Sequence, residues 1–207
     1  MSILVNIINY VLSYSIEILA DMERHKTKSD RTGQLIIKIV ITQTINTSII
    51  YSVLYLMKPI APLSTYGIVA KIKSLIVISG IISVLWTVFQ PFMTLANFLN
   101  KRKYTDDKPI NLFQIQLNQI LEHPPFSFSA GYSFYIIYFY VTCWYGFMLP
   151  IGSAILVVIF ILQYWVDKYN VFRRFSNPVA FGQDLVRLVI RSFEFSLFVF
   201  ALGFYIW

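Results

Sequence analysis

Apolar runs of about 17 to 25 residues recur along this chain, and each is long enough to cross a bilayer as a helix. Of the 207 residues, 57% are hydrophobic and 13% are charged, whereas a soluble domain carries roughly 25% charged residues. The sequence therefore predicts an all-α fold, a polytopic transmembrane helical bundle that forms a single domain over residues 1–207. About six spans are expected, at about residues 3–20, 35–57, 74–99, 132–149, 151–166 and 185–207.

The positive charges indicate the orientation of these spans. Connections 21–34, 100–131 and 167–184 carry 4, 4 and 3 Lys and Arg residues, against only Lys58, Lys71 and Lys73 in the connections on the other side. Because cytosolic loops carry the excess of Lys and Arg, the three charged connections are predicted to be cytosolic and both chain ends to be outside. The formal net charge of +7 therefore reflects loop placement, not nucleic-acid binding.

The third span is apolar enough to cross a bilayer, yet it is polar along one side. At about 100° per residue, its polar residues fall within an arc of roughly 80°. Unmatched polar groups in hydrocarbon cost on the order of a few kcal/mol each, so this side should face water or other helices. We predict that it lines a pathway, and the alternative is close helix packing through small hydroxyl residues. This polar stripe consists of Ser79, Ser83, Thr87, Gln90, Thr94 and Asn97.

Two further residues of the same span, Gly80 and Pro91, are predicted hinge positions. Proline removes a backbone donor and glycine removes a side chain, so either residue permits a bend where a helix lines a cavity. Both could equally be packing features.

Polar residues of three other spans are candidates for the same pathway. Glu17 could line it or reach the interface, and Lys38 could snorkel to the near interface or pair with Glu17. Tyr side chains can line a pore, although packing is their more common role. The candidates outside the third span are Asn6, Asn9 and Glu17 in the first span, Gln43 and Asn46 in the second, and Tyr138 and Thr142 in the fourth.

Enzyme chemistry is not indicated. The two histidines, His25 and His123, lie in different connections, and the single cysteine, Cys143, lies inside an apolar run. The sequence contains no nucleophile and base arrangement, glycine-rich phosphate loop or metal-ligand spacing. We therefore expect no catalysis, no cofactor, no bound metal and no disulfide framework.

Three segments resemble the OSCA-type osmosensitive, calcium-permeable, stress-gated cation channels. The first span, MERHKTKSD and QTINTS are similar to that family's fourth and fifth spans and their linker. LNQILEHPPFSFSAGYS resembles the family's aromatic-proline segment. YGFMLPIGSAILVVIFILQYWVDKYNVF resembles its seventh and eighth spans, with a proline at the outer turn and a DKYN-like motif at the end. The resemblance covers most of the chain and makes the third span the equivalent of the family's sixth span.

The resemblance implies a fold distantly related to the anoctamin channels and scramblases, with an ion pathway inside each subunit. It implies a mechanically or osmotically gated, calcium-permeable channel in the plasma membrane, surrounded by membrane lipids and commonly dimeric. On this mapping the polar stripe is a pore wall. Leu85 lies near a position where plant members often have a carboxylate, so weak cation selectivity is expected.

The chain also departs from the family. Nothing in it resembles the first three spans, the large cytosolic domain or the last span, and Met1 leads almost directly into a span. The predicted spans three to five contain no Asp or Glu, so an anoctamin-like calcium site is not expected. Two alternatives therefore stand beside the channel: a lipid scramblase, and a truncated or accessory membrane subunit that has no transport of its own or assembles with a missing N-terminal half.

Overall fold

A computed structural model describes residues 2–23, 25–49, 52–53, 67–89, 95, 99, 113–114, 126–176 and 183–206. Every regular element within these residues is helical, so the all-α prediction is confirmed for this part of the chain. The helices are α1 (Ser2–Met22), α2 (Lys28–Thr44), a π-helical turn (Ile45–Ile49), α3 (Ile68–Phe89), α4 (Phe128–Trp144), α5 (Ile151–Arg173) and α6 (Gln183–Ile206).

Local sequence explains where several helices begin and end. Thr27 caps α2, because its hydroxyl oxygen accepts a hydrogen bond from the Asp30 backbone N–H at 3.1 Å, and an acidic residue in the first turn suits the helix dipole. α4 and α5 are joined by a tight turn at Pro150, where the Gly152 N–H donates to the Leu149 carbonyl at 2.9 Å. The turn brings α5 back along α4.

Two predicted boundaries differ from the structure. α3 begins at Ile68 and includes Lys71 and Lys73, which were predicted to lie in a connection. α5 continues to Arg173, so the DKYN segment at 167–170 is helical, although connection 167–184 was predicted to begin there. Hydropathy indicates which residues are apolar enough to lie in lipid. A helix can extend past those residues into charged sequence, because its backbone hydrogen bonds do not depend on the polarity of the side chains.

The chain divides into two compact units, and the divisions fall inside α3 and α5. The first unit comprises Met1–Ile81, Ser127–Ile161 and Ala180–Trp207, and the second comprises Ile82–Phe126 and Leu162–Val179.

In the first unit, α1 and α2 are antiparallel. Lys38 of α2 pairs with Glu23, just after α1, whereas Asn46 in the π-helical turn bonds to Asn9 near the start of α1. α5 is antiparallel to α4, since the Tyr135 ring meets the Phe160 ring edge-on at 5.0 Å after the turn at Pro150.

α2, α4 and α6 run in one direction. The Tyr140 hydroxyl donates to the Ser192 carbonyl at 2.6 Å, and further along both segments the rings of Phe147 and Phe204 lie 5.3 Å apart. α2 follows the same course, because its first half meets the start of α6 at Leu188 and the π-helical turn after it meets the end of α4. The starts of α2, α4 and α6 therefore lie at one end of the unit.

The core of the first unit is apolar and closely packed. Its best buried side chains include Ile36 and Ile136, which are fully buried. α6 approaches α4 most closely at Gly203, where an added Cβ would lie 2.4 Å from the Trp144 carbonyl oxygen. Only glycine permits this contact between the two backbones.

Two helices in the described part of the chain are long and apolar enough to cross a membrane, namely Val69–Phe89 and Ile151–Arg173. Only 33% and 22% of their most apolar segments are buried inside the protein, whereas the core helix of a soluble protein would be mostly buried. On α5 the exposed surface includes Ile161, Leu162 and Trp165. A bilayer would cover these apolar faces.

Candidate functional site

The polar stripe faces protein where the structure describes it. Ser79 is 3% exposed, and its hydroxyl has no hydrogen-bond partner among the described residues. Ser83 and Thr87 are half-buried, and the Thr87 hydroxyl donates to the Ser83 carbonyl at 2.9 Å, a bond within α3. The rest of the stripe and the proline of the same span lie outside the described residues, namely Gln90, Pro91, Thr94 and Asn97.

A second polar face lies on α5, and it was not predicted from the sequence. Gln163, Asp167 and Asn170 follow one another at intervals of four and three residues, so they share one side of the helix. Gln163 is 3% exposed, Asn170 is fully buried and Asp167 is half-buried. The spacing was a usable signal, but the predicted span ended at residue 166 and the face was divided by that boundary.

In the second unit, this face contacts the last turns of α3. The Asn170 side-chain amide nitrogen donates to the Thr87 carbonyl at 3.0 Å, and Arg174 donates to the Val88 carbonyl. On α5 itself, the Gln163 amide nitrogen donates to an Asp167 carboxylate oxygen at 2.7 Å. We call Ser83, Thr87, Val88, Gln163, Asp167, Asn170 and Arg174 the α3–α5 seam.

The orientation of the two amides follows from their partners. A backbone carbonyl and a carboxylate only accept hydrogen bonds, so the nitrogen of each amide must face its partner and the carbonyl oxygen must face away. Both of these oxygens, Gln163 Oε1 and Asn170 Oδ1, are buried and accept no hydrogen bond from the described residues. The seam therefore combines two buried amide oxygens that have spare acceptor capacity with a half-buried carboxylate.

Oxygen atoms of this kind suit cations passing through a pore. Backbone and amide carbonyls replace water around a permeant cation, and a carboxylate adds attraction for positive charge. Within the described residues no three His, Cys, Asp or Glu side chains form a group that could hold a metal ion. The oxygen acceptors of the seam are nonetheless of the chemical kind that contacts cations.

The polar residues of α1 and α2 are arranged differently. The Asn46 amide nitrogen donates to Asn9 Oδ1 at 2.7 Å, and the Gln43 amide nitrogen donates to the Asn9 carbonyl at 3.2 Å and to Ser13 Oγ at 2.5 Å. We call Asn9, Ser13, Gln43 and Asn46 the α1–α2 amide cluster. Asn6 lies beyond it, with a buried amide nitrogen that has no hydrogen-bond partner in the described part of the chain.

One suggested pairing is wrong. Lys38 bonds to Glu23, with one N–O distance of 2.6 Å, instead of to Glu17, which is exposed. Glu23 follows the end of α1 and is closer to the start of α2 than Glu17, which lies more than a turn earlier. The hydrogen bond from Lys38 lowers the pKa of Glu23, and the Coulombic attraction of Lys38 and His25 acts in the same direction.

Tyr138, Thr142 and Gly80 lie in packed surroundings. The Thr142 hydroxyl donates to the Tyr138 carbonyl at 2.8 Å, and the Tyr138 ring lies 4.5 Å from the Phe134 ring. An added Cβ at Gly80 would lie 2.4 Å from Ile159 Cδ1. Gly80, a predicted hinge, is thus a site of close approach between α3 and α5 in the first unit.

The π-helical turn after α2 joins a buried network that the sequence did not indicate. The Tyr145 hydroxyl donates to the Ser48 carbonyl at 2.6 Å, and the Trp144 indole donates to Ser52 Oγ at 3.0 Å. Ser52 Oγ also donates to the Ser48 carbonyl at 2.9 Å. The network connects the end of α2 to the end of α4.

Comparison of the chain with models of known protein families and with curated proteins gives no match. Support for a function therefore comes from the seam, from the order of the helices and from the sequence resemblance.

Proposed function

We propose that this chain belongs to a multi-pass protein of the plasma membrane and forms the wall of a cation pathway. The polar stripe of α3 and the polar face of α5 line the pathway. Membrane tension or osmotic stress opens it, and the permeant cations include calcium. The resemblance to the OSCA-type channels supplies the gating stimulus and the calcium permeability in this proposal.

The observation that carries the proposal is the pair of buried amide oxygens at Gln163 and Asn170. A buried polar atom without a partner is costly, on the order of 1–3 kcal/mol, and is expected where a second ligand can reach it. Both residues lie within about one turn of Asp167 on a helix whose other side is apolar and exposed. This arrangement suits a helix with lipid on one side and a cation pathway on the other.

The direction of the helices supports six spans. Because α2, α4 and α6 start at one end of the first unit, the charged connections that precede them enter from the same end. That arrangement agrees with three cytosolic connections and with outer chain ends. The turn at Pro150 then belongs to the outer side.

A complete pathway needs more wall than α3 and α5 supply. The resemblance implies the family's first three spans, a cytosolic domain and a last span in addition, so we propose that either a second copy of this chain or a separate N-terminal half closes the pathway. Lipids cover the exposed apolar faces of α5 and α6.

The test is calcium uptake into liposomes that contain the purified chain and a trapped calcium indicator. Uptake is measured before and after an osmotic downshift. Gln163→Leu should reduce uptake several-fold because it removes a pathway oxygen. Leu162→Ala, a change at the neighbouring exposed position, should leave uptake unchanged. Asp167→Asn should lower the preference for cations over anions, since it removes the carboxylate charge.

Equal uptake by Gln163→Leu and the unchanged protein would contradict the assignment of the pathway to the seam. Fluorescent-lipid scrambling by the same liposomes, without ion uptake, would identify the scramblase alternative. Liposomes with neither activity, also after the N-terminal half of a family member is added, would favour an accessory subunit.

A further inference from the structure

The carbonyl of Thr87 cannot receive its usual backbone hydrogen bond. In an α-helix this carbonyl would accept from the N–H four residues later, and that residue is Pro91. Proline has no N–H, and its ring crowds the carbonyl four residues before it. The regular α-helical donor to the Thr87 carbonyl is therefore missing from the sequence, and a side-chain donor can take its place.

Asn170 supplies that donor. Its amide nitrogen lies 3.0 Å from the Thr87 carbonyl oxygen, and the side chain is fully buried. The bond joins α5 to the carbonyl to which Pro91, which has no N–H, cannot donate. An asparagine is well suited to this role, because its amide presents N–H donors without a charge to desolvate.

Arg174, which directly follows the end of α5, supplies a second donor. It donates to the carbonyl of Val88, the next residue of α3. The Val88 carbonyl thus also accepts a hydrogen bond from a side chain in the second unit, next to the one that Thr87 accepts. The Arg174 guanidinium also lies over the Tyr169 ring, 5.8 Å from its centre, and this contact helps to hold it in place.

The end of α5 is built around the same residue. The Asn170 carbonyl accepts hydrogen bonds from the backbone N–H groups of Arg174, at 2.9 Å, and Phe175, at 3.1 Å. The backbone of Asn170 thus closes the last turn of α5, while its side chain bonds to α3. Phe175 in turn meets the Phe126 ring edge-on at 5.3 Å, just before α4.

We propose that Asn170 and Arg174 form a latch that replaces the backbone donor lost at Pro91 and positions the last described turn of α3 against α5. They are positioning residues. The Thr87 and Val88 carbonyls are held by the two side chains, in place of the α-helical donor that Pro91 cannot supply to Thr87. This inference goes beyond the proposed function and holds whether or not the chain conducts ions.

The test is a double-mutant cycle between Asn170→Leu and Pro91→Ala, measured as thermal unfolding of the purified full chain in lipid nanodiscs. In the protein with Pro91, Asn170→Leu removes the side-chain donor to the Thr87 carbonyl, and the unfolding midpoint should fall by about 5 °C. In the Pro91→Ala protein the N–H of residue 91 can serve Thr87, so the same substitution should lower the midpoint by less than half as much.

A structural role unrelated to Pro91 would give equal shifts in both backgrounds, and that result would overturn the latch. An unchanged midpoint in Asn170→Leu would also overturn it. If Asn170→Leu yields folded protein only together with Pro91→Ala, that rescue supports the latch. If neither leucine variant folds, the smaller change Asn170→Ser is taken through the same cycle and judged by the same two shifts.

Arg174 is tested in parallel by its conservative replacement. Arg174→Lys keeps a cation near the Val88 carbonyl, whereas Arg174→Met keeps only the apolar stem. The methionine variant should show faster hydrogen exchange in the last turn of α3 than the lysine variant. Equal exchange in the two variants would remove Arg174 from the latch and leave Asn170 alone. Neither readout requires ion flux, so failure of the latch is distinguishable from failure of the cation pathway.

Discussion

The α1–α2 amide cluster and the α3–α5 seam have similar sequence patterns and different hydrogen bonding. Both place polar residues along one side of an apolar helix. In the cluster, Asn46 donates to Asn9 and Gln43 donates to both Asn9 and Ser13. In the seam, the amide nitrogens of Gln163 and Asn170 donate hydrogen bonds, whereas the two amide oxygens accept none from the described residues.

On the proposed function, this difference in hydrogen bonding separates packing from transport. Polar groups that bond to one another across two helices hold those helices together and leave little for a passing ion. A buried oxygen with spare acceptor capacity can exchange partners with an ion or water. The same polar stripe in a sequence is thus compatible with either role, and the hydrogen-bond partners distinguish the two.

The largest expected effect concerns how rigidly the helices of the first unit are held. Gly203→Ala would place a Cβ 2.4 Å from the Trp144 carbonyl oxygen, and a backbone atom cannot rotate away. We expect a loss of about 1–3 kcal/mol in the free energy of unfolding, as for other overpacked sites. Reversible unfolding in detergent mixtures measures this change.

Two other glycines serve as controls for that substitution. Gly152→Ala meets Leu149 at 3.5 Å and Thr142 at 3.8 Å, both ordinary contacts, and should be neutral or slightly stabilising. Gly80→Ala meets the Ile159 side chain, so its loss should be smaller than that of Gly203→Ala and should shrink further with Ile159→Ala. If Gly80→Ala destabilises as much as Gly203→Ala, the Ile159 side chain yields no more readily than the Trp144 backbone.

Much of the fold could be predicted from hydropathy alone, because each described helix coincides with a predicted apolar run over most of its length. The helix ends could not be predicted in this way. Lys71 and Lys73 at the start of α3 and Lys168 and Arg173 at the end of α5 are charged residues inside helices. Their backbone bonds continue the helix, while their side chains suit water.

The site was only half predictable for a related reason. Helical periodicity placed Ser79, Ser83 and Thr87 on one side of α3. The periodicity of one helix does not indicate which other helix packs against that side. Asn170 lies 83 residues beyond Thr87 in the sequence, and no local pattern links the two. The partner of Lys38 likewise depended on where α1 ends.

The next largest effect concerns the network at the π-helical turn. Tyr145→Phe removes the hydroxyl that donates to the Ser48 carbonyl at 2.6 Å, in a side chain that is only 1% exposed. Ser52 still donates to that carbonyl, so the expected loss in unfolding free energy is about 1 kcal/mol. Ion uptake should not change. A fall in uptake with unchanged stability would assign this polar group to transport and weaken the contrast between the two regions.

A smaller effect is expected in the amide cluster itself. Asn46→Leu leaves Asn9 Oδ1 without its donor, and hydrogen bonds between membrane helices contribute about 0.6 kcal/mol on average. The double variant Asn9→Leu with Asn46→Leu should lose less stability than the sum of the single variants, because both remove one bond. Calcium uptake should stay constant in all three variants. Reduced uptake in Asn46→Leu without a change in stability would place the cluster in the pathway.

The smallest effect concerns the water-exposed end of the α1–α2 pair, where Lys38 lowers the pKa of Glu23. A carboxylate with a lowered pKa in the folded protein stabilises it above the unfolded pKa, near 4.5, and loses that contribution as the pH falls through the folded value. Lys38→Met keeps the apolar stem and removes the charge. The unfolding midpoints of the two proteins should therefore differ slightly at neutral pH and converge well below pH 4.5. Because solvent screens an exposed pair, added salt should reduce the difference at neutral pH. A difference that persists at low pH would mean that Lys38 stabilises α2 by packing, as the amide cluster does further along the same helix, and not through its charge.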